Sequence, residues 1–127
     1  MGFSLRNRLR VFFIEQRGLP VVAAHWIVLS GGDRNPLDLP GLASFTAAML
    51  DEGTMKRTSL EITAAAESMG AALNTGSSMD FSYVTISSLR RNAEEAFELA
   101  SDVLLNPAFE PAEVERVRSD RLTHILR

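Results

Sequence analysis

Residues 40–54 read PGLASFTAAMLDEGT, and their apolar side chains have the spacing of a helix. The apolar positions recur at i, i+3, i+7 and i+8: Leu42, Phe45, Met49 and Leu50. One face of a helix carries side chains at these intervals, whereas a strand alternates at every second residue. Gly53 follows where a helix typically stops. The stretch therefore predicts a helix that begins near Pro40 and ends by Gly53.

The chain before this helix has the composition of strands. Leu9–Glu15 is rich in β-branched and aromatic residues, and Val21–Ser30 is apolar with a single histidine. Turn-forming residues separate the two segments at positions 16–20, so we expect a β-hairpin. Gly31–Pro36 then interrupts the second strand, because paired glycines and a proline do not continue a sheet ladder.

A second helix and a second hairpin are predicted next. Thr58 lies three residues before Glu61, which is the spacing of a capping box at a helix start. Strand character returns in Ala71–Thr75 and Asp80–Leu89, and the glycine and serines of residues 76–78 link them. We expect these two strands to pair with each other in antiparallel orientation.

Two more helices complete the predicted order. Asn92 and Glu95 have the spacing of another capping box, and Pro107 ends the helix that they open. Pro111 is suited to the first turn of the last helix. Four of its side chains are predicted to face inward: Val114, Val117, Leu122 and Ile125. The order β-β-α-α-β-β-α-α favours an α+β fold, in which the helices pack on one face of an antiparallel-rich sheet.

The chain length allows one domain or a part of one. Residues 1–127 have the size of a single small domain. The last predicted helix is still in phase at Arg127, and a four-stranded sheet has exposed edges. We therefore expect residues 1–127 to form the first part of a larger domain, and we expect the open edges to favour self-association.

Composition excludes several classes of function. With 13 Lys+Arg against 16 Asp+Glu and no basic block, the chain lacks the clustered positive charge of a nucleic-acid surface. The longest apolar run, Val21–Leu29, is far shorter than the ~20 residues that cross a bilayer. The absence of cysteine excludes a thiolate metal site and a cysteine nucleophile. This segment has no signal-peptide pattern, and a cytoplasmic and a periplasmic location both stay open.

The first predicted helix also carries a motif. Residues 40–54 match the segment Gly-Leu-Ala-His-x-x-Glu-His-Met-Leu-x-x-Gly-Thr of a group of zinc peptidases at Gly41, Leu42, Ala43, Met49, Leu50, Gly53 and Thr54. The Gly32–Arg34 loop and the Leu104–Phe109 segment are similar as well. Essentially the whole chain resembles the first repeat of the α/β unit of the pitrilysin/insulinase family, the inverzincins.

The three zinc-motif positions of that family are changed in this chain. Where the family has His, Glu and His, the chain has Ser44, Ala47 and Ala48, which share one helix face at i, i+3 and i+4. Alanine has no lone pair to donate, and a neutral serine hydroxyl is a poor zinc ligand. The family's third ligand is a Glu whose position lies close to His124, and a lone histidine cannot hold a catalytic zinc. The resemblance therefore implies no metal ligand and no catalytic residue in this chain.

Other candidate residues have structural interpretations. His25 is expected to be a packed or edge-facing imidazole, and Asp51 and Glu52 are expected to form a solvated helix end. No Gly-x-Ser-x-Gly elbow is present, although a hydrolase of the Ser-His-Asp type would use one. An active hydrolase with unrecognised residues is a further alternative, which cleavage dependent on Ser44, Asp51 or His124 would reveal.

The resemblance implies a role in binding. Members of the family consist of paired homologous halves that enclose an unfolded peptide, and one half carries the zinc. The chain is therefore expected to be the start of a non-catalytic half, which binds an extended peptide through main-chain hydrogen bonds. Its expected partner is a homologous zinc-bearing half, and zinc is expected only there. The alternative is a scaffold subunit without a proteolytic role, and a neighbouring segment or chain with an intact His-x-x-Glu-His motif would distinguish the two.

Overall fold

The computed structural model describes residues 1–127, which form five strands and four α-helices. The strands are β1 Gly2–Ser4, β2 Arg10–Phe12, β3 Val21–Val28, β4 Ala72–Ser77 and β5 Ser82–Leu89. The helices are α1 Leu42–Met49, α2 Ser59–Ser68, α3 Ala93–Leu105 and α4 Pro111–Ile125. Single turns of 3-10 helix lie at Gly32–Arg34 and Arg90–Asn92. None of the helices combines the length and the apolar character that crossing a membrane requires.

The strands form two antiparallel sheets, and their pairing corrects the first predicted hairpin. β2 pairs with β1 in a two-stranded sheet, whereas β3 lies in a three-stranded sheet with the order β3-β5-β4. β3 pairs with β5 along its whole length, from Val21 opposite Leu89 to Val28 opposite Ser82. β2 has only three residues and could form only a short ladder with β3. The longer ladder satisfies more backbone N–H and C=O groups, and β3 therefore joins the distant strand.

The second predicted hairpin is confirmed, although its turn is shifted. β4 and β5 pair in antiparallel orientation over six residue pairs. The turn occupies residues 78–81, where the Ser78 N–H donates a hydrogen bond to the Phe81 carbonyl at 2.7 Å. Gly76 belongs to β4 and not to the turn. The Tyr83 side chain lies in the space that a Cβ atom at Gly76 would fill, which explains a glycine inside this strand.

The core lies on one face of the three-stranded sheet. A cluster of nine buried residues joins α2 and the residue that follows it to α3 and β5: Ile62, Ala66, Met69, Val84, Ile86, Ala96, Leu99, Ala100 and Val103. Trp26 of β3 meets Phe97 of α3 edge to face, with ring centroids 5.6 Å apart. On the opposite face of the sheet, His25 and Ile27 are exposed. This arrangement confirms the α+β class, with helices packed on one face of an antiparallel sheet.

One of the two predicted capping boxes is confirmed, and the other is wrong. At α2, the Glu61 N–H donates to Thr58 Oγ1 at 3.2 Å, and the Thr58 N–H donates to Glu61 Oε2 at 2.8 Å. At α3, the preceding 3-10 turn holds Asn92 at φ −105° and ψ 7°, outside the extended conformation of a cap. Asn92 Nδ2 instead donates to the Met69 carbonyl at 3.0 Å, which ties the end of α2 to the start of α3.

The prediction for α4 is confirmed at its start and wrong at its end. Pro111 occupies the first turn, and Val114 and Val117 are half-buried. Leu122 and Ile125 were predicted to face inward, but they are 43% and 71% exposed. The reason is that α4 packs against α1 at the side of the fold and contributes no buried residue, so its last turns extend beyond the core.

The loop after β3 makes a tight backbone contact that yields a first prediction. Gly31 is buried against the β4–β5 turn, and a Cβ atom there would lie 2.6 Å from the Met79 carbonyl oxygen and 2.7 Å from the Phe81 nitrogen. Because backbone atoms cannot give way as a side chain can, Gly31→Ala should lower the free energy of unfolding by about 1–3 kcal/mol. Urea denaturation followed by circular dichroism measures this loss.

The neighbouring glycine provides the matched control. A Cβ atom at Gly32 would make only ordinary van der Waals contacts, the nearest of them with the flexible Met79 side chain, whose Sδ atom lies at 3.4 Å. Gly32→Ala should therefore leave the urea midpoint within experimental error. Equal midpoints for the two variants would contradict the close packing of Gly31 on the turn.

Candidate functional site

Helix α1 carries the three residues, Ser44, Ala47 and Ala48, that occupy the His, Glu and His positions of the resembled zinc motif. Gly41 precedes α1 in the left-handed conformation, with φ 86°, and Asn35 Oδ1 accepts a hydrogen bond from the Ala43 N–H at 2.9 Å. Ser44 is exposed, and Ala48 is half-buried. Ala47 is 2% exposed, so only part of the predicted common face is open to solvent.

A cation from α4 lies on the open part of this face. Arg121 donates hydrogen bonds to Ser44 Oγ at 3.0 Å and to the Ser44 carbonyl at 3.3 Å. Its guanidinium carbon lies 5.1 Å from the centroid of the Phe45 ring, at the distance of a cation–π contact. Arg121 forms no ion pair with a carboxylate, so its charge is not neutralised locally. The positive charge disfavours a divalent cation at this position.

The donor set around α1 does not fit a zinc ion. His124, which lies one turn after Arg121 on α4, is exposed. No group of three or more His, Asp or Glu side chains is close enough to share a metal anywhere in residues 1–127. A zinc site needs at least three protein ligands, whereas the motif face of α1 offers only the Ser44 hydroxyl group, which already accepts a hydrogen bond from Arg121. No chemical step through a metal follows from these residues.

The residues after α1 correct the prediction of a solvated helix end. Because the chain turns from α1 towards α2, Asp51 and Glu52 are half-buried between the two helices. Glu52 forms an ion pair with Arg116 of α4 and accepts a hydrogen bond from Ser59 Oγ at 3.3 Å. Hydrogen bonds to Glu113 and Glu52 raise the pKa of Arg116. Arg116 and Arg121 thus attach α4 to both ends of the α1 segment.

A cleft of about 270 Å³ lies beside Asp51, between α2 and the start of β4. Its lining consists of Asp51, Ile62, Thr63, Ala66, Glu67, Ala71, Ala72 and Leu73. Burial raises the pKa of the Asp51 carboxyl, its own backbone N–H lowers that pKa, and the nearby charge of Glu52 raises it. Neither Asp51 nor Glu67 forms an ion pair, so the cleft contains two carboxylates without a cation.

Strand β4 borders this cleft and is the edge of its sheet. It pairs only with β5, and no other backbone group forms a hydrogen bond with residues 72–77. Because Ser78 pairs with Phe81 in the turn, the alternation of the antiparallel ladder directs the N–H and C=O groups of Leu73 and Thr75 away from β5. The strand sequence ALNTGS contains no charged residue and no proline. An added strand could therefore pair with this edge.

A buried polar network supports the segment between α1 and α2. Asp102 of α3 accepts hydrogen bonds from Thr54 Oγ1 at 2.6 Å, from the Arg57 guanidinium at 2.8 Å and from Asn106 Nδ2 at 3.1 Å. Burial alone would raise the pKa of Asp102, but these hydrogen bonds and the Arg57 charge outweigh burial and lower it. The network fixes the loop that leads into α2 and therefore one wall of the cleft.

These contacts could not be predicted from local sequence patterns. Arg121 and Ser44 are 77 positions apart, and Thr54 and Asp102 are 48 positions apart, so no local motif joins them. The only signal for Asp102 was an acidic residue next to the apolar stripe of a predicted helix. The cleft depends on the placement of α2 against β4, which periodicity does not define.

Comparison with known proteins relates the whole chain to one family. The family model described as Insulinase (Peptidase family M16) matches residues 10–125. The mitochondrial-processing peptidase subunit beta of Mus musculus is 31% identical over 114 residues, which are 90% of this chain and 23% of that protein. The non-peptidase homolog YmxG of Helicobacter pylori is 25% identical over 119 residues, which are 94% of this chain and 28% of that protein. The chain thus spans about a quarter of the length of these relatives.

Solved structures agree with this relationship. The peptidase M16 inactive domain from Pseudomonas fluorescens superposes with a TM-score of 0.91 at 27% identity, over 98% of this chain and 30% of that chain. A protease from Helicobacter pylori superposes with a TM-score of 0.84 at 17% identity, over 94% of this chain and 29% of that chain, and supports the fold alone. The resemblance inferred from residues 40–54 is confirmed. The chain belongs to the insulinase family, peptidase family M16, and its similarity includes an inactive domain of that family.

Proposed function

We propose that residues 1–127 are the first part of a non-catalytic M16 half, which binds an extended peptide and pairs with a homologous zinc-bearing half. The observation that carries this proposal is the α1 face, where Ser44, Ala47 and Ala48 provide no metal donor set and Arg121 supplies a positive charge. In this proposal the three α1 positions are those of a lost zinc motif, and zinc belongs to the partner half. The similarity to an inactive domain supports the same interpretation.

The free edge of β4 is the proposed peptide site. Main-chain groups of Leu73 and Thr75 point outward, and no side chain on the strand carries a charge that would repel a second strand. An extended peptide that adds to such an edge gains main-chain hydrogen bonds, and its alternate side chains contact the two faces of the sheet. α1 contacts β4, so a peptide at this edge lies close to the proposed lost motif.

The large exposed surface area of the chain supports the proposal that it pairs with another protein surface. The chain exposes 9,368 Å², whereas a compact monomer of its mass exposes about 6,700 Å². The excess of about 2,700 Å² is roughly three times the area that each partner buries in a standard interface. Apolar side chains account for part of this surface, including Val21 and Ile27 on β3, the opposite edge strand. Self-association through β3 stays a prediction, since the same strand can also pair with a homologous half.

A binding measurement tests the peptide site. Addition of a short, uncharged extended peptide to the nitrogen-15-labelled chain should shift the amide signals of residues 72–77 in an NMR titration and slow their hydrogen exchange. Thr75→Pro removes an outward N–H group without removing a ladder hydrogen bond, and it should weaken binding about tenfold. Thr75→Val keeps the N–H group and serves as the matched control, with unchanged affinity expected.

A second reagent keeps this test informative if Thr75→Pro fails to fold. A peptide that is N-methylated at alternate residues cannot donate hydrogen bonds to one edge, and it should also bind the unchanged chain about tenfold more weakly. The absence of any shift at residues 72–77 would contradict peptide binding and favour the alternative of a scaffold subunit. The name of the Helicobacter relative, a non-peptidase homolog, is compatible with that alternative.

A further inference from the structure

Strands β1 and β2 form a hairpin that no hydrogen bond joins to the rest of the fold. The ladder extends from Met1 opposite Phe13 to Leu5 opposite Leu9. All hydrogen bonds of residues 1–17 stay within this segment. A two-stranded hairpin is at most marginally stable alone in water. Residues 1–14, the N-terminal hairpin, therefore need a surface that covers them.

The pairing register places the side chains of the N-terminal hairpin on two unlike faces. Phe3 lies opposite Val11, and residues that are opposite each other, or two apart in one strand, point to the same face. One face therefore consists of apolar side chains alone: Met1, Phe3, Leu5, Leu9, Val11 and Phe13. Five of these six are between 45% and 85% exposed, and Val11 is half-buried. A contiguous exposed apolar face of this kind marks an interaction site.

The remainder of the N-terminal hairpin is cationic. Arg6 and Arg8 lie at the turn and Arg10 lies on the second face, and none of the three forms an ion pair. Residues 1–20 contain four arginines and one glutamate, a formal charge of +3, whereas the whole chain has −3, so residues 21–127 have −6. The charge of the chain is thus polarised, and its unneutralised arginines lie next to the apolar face.

A second copy of the chain matches this hairpin less well than a lipid surface does. The open face of the three-stranded sheet is polar at its centre, where Thr85 lies between His25 and Asn74. Two N-terminal hairpins placed face to face would bring two segments of charge +3 together. An anionic bilayer surface instead offers acyl chains to the apolar face and phosphate groups to the arginines.

We propose that the N-terminal hairpin docks on an anionic phospholipid surface, with its apolar face at the acyl boundary and its arginines at the headgroup phosphates. This inference does not depend on the peptide site proposed above. Arginine has a long apolar stem, so the guanidinium groups can reach the headgroup level while their stems stay beside the apolar face. The negative charge of residues 21–127 disfavours their contact with the same surface, which confines the attachment to the hairpin.

Vesicle co-sedimentation of the 127-residue chain tests this inference. Vesicles of phosphatidylcholine with phosphatidylglycerol should pellet the chain, whereas pure phosphatidylcholine vesicles should leave most of it in solution. High salt should release the chain from the anionic vesicles. The triple variant Arg6→Gln, Arg8→Gln, Arg10→Gln should weaken binding to them about a hundredfold, at roughly fivefold for each arginine.

A matched control removes the same charge elsewhere. Arg90→Gln, Arg91→Gln, Arg127→Gln replaces three exposed arginines that form no ion pair and lie outside the N-terminal hairpin. Because both triple variants change the net charge equally, long-range attraction affects them alike. The control should change the affinity for anionic vesicles by less than about threefold.

A second variant tests the apolar face. Phe3→Ser, Phe13→Ser retains every arginine and should weaken binding to anionic vesicles about tenfold. The buried cluster contains no residue of the hairpin, so the circular dichroism spectrum should show that the helices remain folded.

Three results would overturn the inference. The first is a chain that anionic vesicles do not pellet, and the second is an equal loss of affinity in the two triple variants. The third is a dimer in light scattering without vesicles that Phe3→Ser, Phe13→Ser converts to a monomer, because a second copy then covers the apolar face.

Discussion

Replacement of Asp102 by alanine is expected to lower the free energy of unfolding by about 3–5 kcal/mol, a large part of the stability of a small domain. The Asp102 side chain is 4% exposed and accepts three hydrogen bonds, including one from the Arg57 guanidinium. Its removal leaves Arg57 without its counter-charge and Thr54 without its acceptor. A half-buried cation without a partner costs more than the lost contact alone, because its hydration is not recovered.

Urea denaturation of the purified variants measures this loss. Glu98→Ala, on the exposed side of the same helix, is the matched control and should change the free energy of unfolding by less than about 0.5 kcal/mol. Asp102→Asn retains the side-chain shape and one acceptor oxygen. Its loss in the free energy of unfolding should fall between the losses for Asp102→Ala and Glu98→Ala. Comparable stability of Asp102→Ala and Glu98→Ala would contradict the role of the network in fixing the segment between α1 and α2.

A variant that rebuilds a metal site on α1 and α4 is expected to bind Zn²⁺ about a thousandfold more tightly than the unchanged chain. It carries the substitutions Ser44→His, Ala48→His, His124→Glu and Arg121→Ala. Positions 44 and 48 lie one turn apart on α1, and the contact between Ser44 and Arg121 brings α4 to the same place. Position 124 lies one further turn along α4, so a carboxylate there supplies the third ligand.

Two controls accompany the rebuilt site. The same variant with Ala48 left unchanged has only two ligands, and most of the gain in affinity should be lost. The variant that retains Arg121 should bind zinc about tenfold more weakly than the full set, because the guanidinium repels the ion. Isothermal titration calorimetry measures all three affinities, and equal values would show that α1 and α4 do not form the site.

The features predicted correctly from the sequence are those with local causes. The capping box of Thr58 and Glu61, the start of α4 at Pro111 and the second hairpin each depend on residues close together in the chain. The pairing of β3 was wrong because its partner, β5, lies more than fifty positions away. The box at Asn92 was wrong because a 3-10 turn, which the spacing does not reveal, precedes α3.

The candidate site shows the same difference between features with local causes and features that depend on distant residues. The altered residues Ser44, Ala47 and Ala48 were found from the sequence, because a known motif has a specific residue at each of these positions. The surroundings of these residues were not predicted from the sequence, because the Arg121 contact and the cleft at Asp51 arise only when distant elements pack together. The prediction of a solvated helix end at Asp51 failed for this reason: the turn towards α2 half-buries the carboxylate.

The most direct test of the non-catalytic half is a zinc titration of the unchanged 127-residue chain at neutral pH by calorimetry. Because the α1 face has no metal ligands and Arg121 lies on it, the titration should show no saturable zinc binding in the micromolar range. Peptide cleavage should be absent with or without added zinc. One equivalent of tightly bound zinc, lost in both Ser44→Ala and His124→Ala, would contradict the account.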